Sequence, residues 1–432
     1  MLMHSKHRSW LDWAALVTLF TLPVVIVVGP VLNYVGGVPL IQVSQCLFAF
    51  FGVLLAARGG ARSFKVTFIT FAIFIWMVLG LLYGALNLGD ALKVGDILQF
   101  SLNIIMLLIA PAYRQIDTSL LALRRGWLSA FFVAAVAGFI NLITGRSLPN
   151  SLESHSPNED LGISATFHNP NTFGFFLVIT FPIFVAGAMD RSSSFPKRLC
   201  HALGAITTAY FVLETRSELC LAAILSQLIV LPFLLNKTRR PRPFSGFAFL
   251  AVVLGAFWWY FVRQDSPGNE ILLSNPRFAA LEEWQSGEMN TIGSRIELWN
   301  AGMQIIRDQY GFGAGPTSFA DAIGSRGLTT DTGGAMAPHN GYLEVAVEYG
   351  VIVALLLFVA FISVMVKAAM AFPHLEKFRR NYALVIILQI VGASIATFAP
   401  GTTLGAIFMW VWGATLVLFM STLETEPRRA AA

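Results

Sequence analysis

Two arginines stand in the same short sequence context. Arg216 lies in the tetrapeptide TRSE and Arg295 in SRIE, and both have the S/T-x-x-E form of a capping box, which predicts each arginine at the first position of a helix. The helix macrodipole is already positive there, so a cation is unfavourable unless an anion shares the space. Helix N-termini and arginine forks both suit phosphate oxygens. The alternative for each arginine is a local ion pair, of Arg216 with Glu214 or Glu218 and of Arg295 with a neighbouring acid.

A histidine is the third candidate for chemistry. His339 is followed by Asn340 and a long apolar run. Imidazole has an ordinary pKa near neutrality, so it can take a proton from a sugar hydroxyl. A histidine at a membrane interface can also be a wetted residue without a chemical role. Together with two phosphate-binding arginines, His339 is the candidate general base.

Further substrate contacts are expected from four polar residues near the same helix starts: Asn340, Tyr342, His168 and Asn171. Capping of the helix by Asn169 or Asn171 is the simpler interpretation of the asparagines, and the role of His168 stays open. The acids of the outer loops show neither paired-carboxylate spacing nor a D-x-D pattern, so no metal and no cofactor are predicted. The cysteines, Cys46, Cys200 and Cys220, have no metal-ligand spacing and are interpreted as structural.

The elements that position these residues must be membrane helices. Of the 432 residues, 56% are hydrophobic and 12% are charged, with a mean hydropathy of +0.68, which is more apolar side chain than a soluble fold of this size buries. We therefore expect an all-α integral membrane protein. The apolar runs predict twelve spans, at 12–30, 38–57, 66–86, 95–112, 127–144, 171–189, 199–213, 217–235, 244–262, 341–366, 380–398 and 402–420. The first run is too long for a cleavable signal peptide and is expected to remain as a span.

The basic residues predict the orientation. With a cytoplasmic N-terminus, the outer loops hold only eight of the 29 Lys and Arg residues, namely Lys93, Arg146, Arg216, Arg263, Arg277, Arg295, Arg307 and Arg326. The other 21 fall on the inside, as the positive-inside rule requires. Both termini are then cytoplasmic and the candidate site is outside. Since topology explains the net charge of +5, no nucleic-acid partner is predicted.

Two outer segments, 145–170 and 263–338, are long, and long loops in compact proteins are usually functional or disordered. The chain thus divides into a bundle over 1–262, an outer loop over 263–338, and a final part over 339–432. Within the loop a helix is predicted from Ser294, with Ile296, Trp299, Met303 and Ile306 on its apolar face, and a shorter one over 278–284. The glycine-rich turn 310–316 is either an anion-binding loop or a plain helix stop.

The motif His339-Asn340, then nine residues, then Gly350 resembles the H-[NSQ]-x9-G signature of the O-antigen ligase and polymerase superfamily. A large periplasmic loop before the signature and outer arginines upstream are also similar to that family. The resemblance covers roughly residues 165–366. A further glycine of the protein-glycosylating members is replaced here by Ala354, which argues against a protein acceptor.

This resemblance implies a GT-C-like membrane glycosyltransferase of the bacterial inner membrane with a periplasmic active site. The implied reaction moves O-antigen polysaccharide from undecaprenyl pyrophosphate to the lipid A-core oligosaccharide, with inversion at the anomeric carbon. By the same resemblance, Arg216 and Arg295 bind the leaving pyrophosphate and His339 activates the acceptor. Such a leaving group needs charge stabilisation rather than a nucleotide or metal.

Three other functions are weighed against this interpretation. An O-antigen polymerase shares the expected architecture and ranks second. A protein O-oligosaccharyltransferase ranks third, because those relatives usually carry an additional C-terminal soluble region. A transporter or flippase for lipid-linked glycans belongs to another class, and it would place ionisable residues or broken helices near the bilayer midplane. The predicted spans are nearly free of charge, which favours chemistry at the outer interface.

Overall fold

A computed structural model of the chain describes residues 8–37, 39–59, 68–86, 93–146, 148–150, 162–235, 291–316, 319–325 and 337–423. Within these ranges the regular structure is entirely helical. The α-helices are α1 (Trp10–Gly36), α2 (Leu40–Gly59), α3 (Phe68–Leu86), α4 (Lys93–Ile109), α5 (Ser119–Thr144), α6 (Pro170–Ala188), α7 (Phe195–Glu214), α8 (Glu218–Leu235), α9 (Thr291–Asp308), α10 (Phe319–Ser325), α11 (Gly341–Tyr349), α12 (Val351–Ala371), α13 (Lys377–Ala396) and α14 (Ile407–Leu423). The prediction of an all-α integral membrane protein is confirmed.

Eight segments of the described chain are long and apolar enough to cross a bilayer. They are Trp10–Asn33, Leu40–Gly59, Ile97–Gln115, Ser119–Thr144, Pro170–Ala188, Glu218–Leu235, Val351–His374 and Lys377–Ala396. Phe68–Tyr83 and Ile407–Leu423 are shorter apolar helices, and α7, predicted as a span over 199–213, is not among the eight. The span predicted at 244–262 and the helix predicted at 278–284 lie outside the described residues, so the count of twelve stays a prediction.

The core of the bundle contains α6, α13 and α14, which are buried along most of their length. Two glutamine side chains connect these helices by donating hydrogen bonds to backbone carbonyls of neighbouring helices. The Gln227 amide of α8 donates to the carbonyl oxygens of Val178 and Leu388 at 3.1 and 3.0 Å, and the Gln389 amide donates to Ile179 at 2.8 Å. Hydrogen bonds between helices hold a bundle together where lipid offers no hydrophobic driving force.

The tenth predicted span is interrupted, contrary to the prediction of one run over 341–366. Gly350 has φ +93° and separates the nine-residue helix α11 from α12. An L side chain rarely adopts this backbone conformation, so the glycine ends one helix and starts the next. His339 therefore precedes a short helix, and the candidate span begins only after Gly350.

The last predicted span also begins too early. Helix α14 starts at Ile407 rather than at residue 402. Residues 397–406, here called the platform loop, connect α13 to α14 without α-helix. Their carbonyl and amide groups hydrogen-bond to α9 and to the start of α11. These tertiary bonds compete with continuation of the helix, which hydropathy alone cannot reveal.

Helix α9 confirms the prediction that the segment before His339 contains a helix that ends before Gly311. Its predicted apolar face is wrong in part, because Met303 is 46% exposed. The buried stripe is instead Leu298, Ala301 and Ile305, which pack with residues of α10 and α11. Trp299 and Ile306 border this stripe and are partly buried, since apolar residues occupy two adjacent faces of the helix.

Candidate functional site

Asn340 and His339 form the turn that starts α11. The Asn340 side chain caps the helix by accepting hydrogen bonds from the amides of Tyr342 and Leu343, both at 3.1 Å. His339, just before the cap, has φ +45°, which costs a non-glycine residue about 1 kcal/mol. Its amide donates to the Gly401 carbonyl at 3.1 Å. The hydrogen bonds of the turn therefore hold the histidine in a strained conformation.

The His339 imidazole is oriented by a backbone carbonyl. Its Nδ1 lies 3.3 Å from the carbonyl oxygen of Ala399. A carbonyl only accepts, so Nδ1 must carry the hydrogen and Nε2 presents a lone pair in the neutral ring. Burial and then the cationic Arg295 lower the pKa of His339, whereas the bond to Ala399 raises it. The ring is thus neutral near pH 7 with Nε2 able to accept a proton.

Arg295 approaches the platform loop from α9. Its Nη1 donates to the Phe398 carbonyl oxygen at 3.4 Å, while its buried Nε has no hydrogen-bond partner among the described residues. Burial lowers the pKa of the guanidinium and the Glu218 carboxylate raises it, but arginine remains a cation at any physiological pH. A half-buried guanidinium with unsatisfied donors is costly unless an anion occupies the space beside it.

Aromatic side chains connect α9, the turn before His339 and the platform loop. The Trp299 indole N–H donates to the Pro338 carbonyl at 2.8 Å, which ties α9 to the turn before His339. Phe398 packs against Trp299 and Tyr342, with ring centroids 6.1 and 6.0 Å apart. Tyr342, predicted as a substrate contact, therefore lies beside the platform loop with 36% of its surface exposed.

Arg216 lies in the turn between α7 and α8, and its position differs from the prediction. It has φ +56°, and α8 begins two residues later, so it does not occupy the first position of a helix. The residue before it, Thr215, is the C-cap of α7. Ile163 donates to the Glu214 carbonyl at 3.2 Å, and this packing of the preceding loop imposes the turn. Arg216 is exposed. It precedes by two positions in the sequence Glu218, the acid whose charge raises the pKa of Arg295.

The capping box predicted at Ser294 is also wrong, because α9 already includes Thr291. Arg295 is thus in the second turn of its helix, so its charge is not at the helix end. The structure nevertheless brings Arg295 to His339, since the cation contributes to the lowered pKa of the imidazole. What places them together is the platform loop.

His168 and Asn171 have different surroundings. His168 is exposed, and its Nδ1 lies 2.7 Å from the Asn150 carbonyl oxygen. Asn169 caps α6 by accepting from the Thr172 amide at 2.8 Å, which confirms the capping interpretation for Asn169 but not for Asn171. No hydrogen bond described for these residues joins them to His339 or to the arginines.

The glycine-rich turn is a helix stop that docks onto α11. The amides of Tyr310 and Gly311 donate to the carbonyls of Arg307 and Ile306, the pattern of a Schellman motif. The next amides, of Ala314 and Gly315, donate to carbonyls at the end of α11 at 2.8 and 2.9 Å. The Phe312 amide also donates, to the Gln309 carbonyl at 2.9 Å. Five amides of the turn are thus occupied by protein carbonyls, so the anion-binding alternative is wrong for them.

A residue that the sequence did not single out occupies the centre of the contact between α11 and the platform loop. Glu344 is 3% exposed. Its carboxylate accepts hydrogen bonds from the Thr403 amide at 2.7 Å, the Leu404 amide at 3.2 Å and the Thr402 hydroxyl. Burial raises the pKa of Glu344 to about 7. Acids in an apolar run at a membrane, here Glu344 and the also buried Glu348, are a signal that could have identified it.

An apolar groove of about 1130 Å³, counting the space open to its surroundings, starts at this site. Gly341, Tyr342 and Thr397 line one end, and Val364, Leu416 and Val417 of α12 and α14 line the other. The groove is therefore continuous from the polar turn into the bundle. Among the described residues no group of three His, Cys, Asp or Glu side chains could hold a metal ion.

Residues 203–358 match a family model described as O-antigen ligase. The matched range contains Arg216, Arg295 and His339. No curated protein matches the chain.

Proposed function

We propose that this multi-pass membrane protein is an O-antigen ligase. It transfers polysaccharide from undecaprenyl pyrophosphate to a lipid A-core sugar at the periplasmic face. The match of residues 203–358 to the O-antigen ligase family model supports a general role in O-antigen ligation or polymerisation. The family implies a lipid-linked glycan donor and a lipid A-core acceptor in general. The pyrophosphate donor, the inversion and the roles of individual residues are part of the proposal.

One observation carries the proposal: a neutral histidine and an under-bonded guanidinium are held by adjacent carbonyls. Nε2 of His339 accepts the proton of the acceptor hydroxyl as its oxygen attacks the anomeric carbon. The bond from that carbon to the pyrophosphate oxygen breaks, and the leaving group departs with the bonding electrons. Arg295, with Arg216 from the neighbouring turn, neutralises the charge that develops on it. Fixed cations in a water-poor site are well suited to this task.

The lowered pKa of His339 favours regeneration of the neutral imidazole after each transfer. Protonation during transfer creates an imidazolium beside Arg295, and repulsion between two cations favours loss of the proton to water. The neutral imidazole is therefore restored with water as the proton acceptor, without a second protein base. The apolar groove that opens at Tyr342 supports the lipid-linked nature of a substrate, because it offers an apolar surface next to a polar site.

Complementation of a strain that lacks its O-antigen ligase tests the function. Wild-type chain should restore polysaccharide-capped lipopolysaccharide on a gel, and H339A, R295A and R216A should abolish it at matched membrane abundance. His374 provides a control, because it is exposed and follows the C-terminal end of α12, so H374A should still give polysaccharide-capped lipopolysaccharide. If wild type leaves the core uncapped but lengthens lipid-linked polymer, the protein is a polymerase. If polysaccharide-capped lipopolysaccharide is still formed in all three variants, the assigned site is wrong.

A further inference from the structure

The platform loop holds both reacting groups by its main chain. Phe398 and Ala399 accept hydrogen bonds from the side chains of Arg295 and His339, and Gly401 accepts from the His339 amide. The orientation of the site therefore depends on where four consecutive peptide groups lie. Nothing in those side-chain contacts keeps the loop itself in place.

Three donors at the other end of the loop converge on Glu344. They are the Thr402 hydroxyl and the amides of Thr403 and Leu404. Glu344 stands five residues after His339 on the first turn of α11, so the loop is fixed to the same short helix that carries the histidine. Gly341 makes the close approach possible, since a Cβ there would lie 2.3 Å from the Thr397 hydroxyl oxygen.

We propose that Glu344 is a positioning residue for the transfer reaction, which acts by clamping the platform loop so that its carbonyls orient His339 and Arg295. This inference rests on the proposed function. Glu344 touches neither substrate nor leaving group in it. Its carboxylate replaces solvent for the buried amide of Thr403 and the partly buried amide of Leu404, and leaving such amides unpaired would favour movement of the loop towards water.

Two substitutions separate geometry from charge. In E344L the three donors lose their acceptor, and a shift of the loop by about 1 Å should lower the transfer rate about 100-fold. In E344Q the amide oxygen still accepts from both backbone amides and its NH₂ donates to the Thr402 hydroxyl oxygen, which can accept. E344Q should therefore restore most of the activity that E344L loses.

The pH profile gives a readout that loss of stability alone would not move. The bond to Ala399 raises the pKa of His339, so loosening the loop should lower that pKa and move the acid limb of the rate profile to lower pH. The charged groups that face the two side chains are Arg295 of α9, opposite His339, and Glu218 of α8, opposite Arg295. These groups are unchanged in E344L and E344Q.

The experiment measures initial rates of glycan transfer in membrane vesicles from about pH 5 to about pH 8, for wild type, E344L, E344Q and Q389L. Gln389 is a matched control, because it is buried and makes two interhelical hydrogen bonds away from the site. E344L should be slow with its acid limb shifted down, whereas E344Q and Q389L keep the wild-type limb. If E344L does not accumulate, T402V, which removes one donor, should show the same shift to a smaller extent.

Three outcomes overturn the inference: an E344L rate close to wild type, an E344L limb that coincides with that of Q389L, or an E344Q rate as low as that of E344L. A failed proposed function looks different. In that case wild-type chain transfers no glycan, or H339A transfers as well as wild type.

Discussion

The guanidinium of Arg295 and the imidazole of His339 hydrogen-bond to the carbonyl oxygens of consecutive residues, Phe398 and Ala399. Consecutive peptide groups move together, so the two side chains share one support although they come from separate helices. A change that displaces either carbonyl should therefore affect both side chains.

Replacing Arg295 should impair the chemical step. R295A removes a fixed cation from the leaving group and should lower the transfer rate by about 100- to 1,000-fold. R295K should recover little, because an ammonium lacks the fork that bonds phosphate and the loop carbonyl together. Arg307 is on the same helix and exposed, so R307A should be close to wild type in vesicle transfer assays. An R295K rate equal to wild type would show that only charge is needed.

The activity should fall at acid pH as His339 becomes protonated. Because burial and Arg295 lower the pKa of the imidazole, the acid limb should lie below the ordinary value of about 6.5. In R295Q the cation is gone, so the pKa of His339 rises and the limb of the residual activity moves to higher pH. R307Q supplies the control with an unshifted limb. A downward movement in R295Q would contradict the electrostatic argument.

Asn340 should matter for activity beyond its effect on stability. N340A removes the cap of α11 and N169A removes the cap of α6, and each should cost about 1 kcal/mol of stability. N340A alone should also lower transfer, since it frees the turn that holds His339. Thermal unfolding in detergent and vesicle transfer rates, measured on both variants, check this. Equal activities at equal stability would refute a special role for the first cap.

Gly350 should tolerate no side chain. Its φ of +93° strains any L residue, and a Cβ there would lie 3.0 Å from the Gly311 carbonyl oxygen. G350A should therefore reduce stability by about 1 kcal/mol or more, measured as thermal unfolding in detergent. Gly145 has φ +61° with no atom within 4 Å of an added Cβ, so G145A isolates the strain. A loss in G350A no larger than that in G145A would mean that the contact is harmless.

The stability of the protein should depend on pH through Glu344. Burial raises its pKa to about 7 in the folded chain from an ordinary value of 4.5, so the folded state binds the proton more tightly than the unfolded state. This contribution is fully present below pH 4.5 and is lost as pH rises through about 7. Wild type should lose more thermal stability than E344Q between those limits. Parallel curves for the two proteins would contradict the raised pKa.

The candidate residues Arg295 and His339 stand out in the sequence by their types, but the way in which the structure holds them could not be predicted. Arg295 and His339 are unusual beside apolar runs, which makes them visible in the sequence. The platform loop contributes main-chain atoms, which leave no pattern, and its Thr402 and Thr403 were assigned to the last span. Hydropathy likewise places Glu344 inside a continuous span, because the two acids of this run, Glu344 and Glu348, hardly change the mean over a window of about 20 residues.

The failure of both capping boxes has a tertiary cause. The S-x-x-E pattern occurs within helices as well as at their starts, and at Ser294 the helix had already begun. At Arg216 the loop that includes Ile163 bonds to the end of α7 and imposes a left-handed turn. The spans could be predicted because lipid acts on every residue of a helix, whereas a turn is decided by the few atoms packed against it.

Ala399 accepts the hydrogen bond from His339 with its peptide oxygen, so its side chain takes no direct part in that bond. A substitution there acts on the bond only if it displaces the backbone, as a larger side chain at the buried Ala399 would. What matters there is which carbonyl of the loop lies opposite each side chain. Deleting or inserting a single residue between Thr397 and Thr402 would place a different carbonyl opposite Arg295 and His339, so the candidate site depends on the length of this loop.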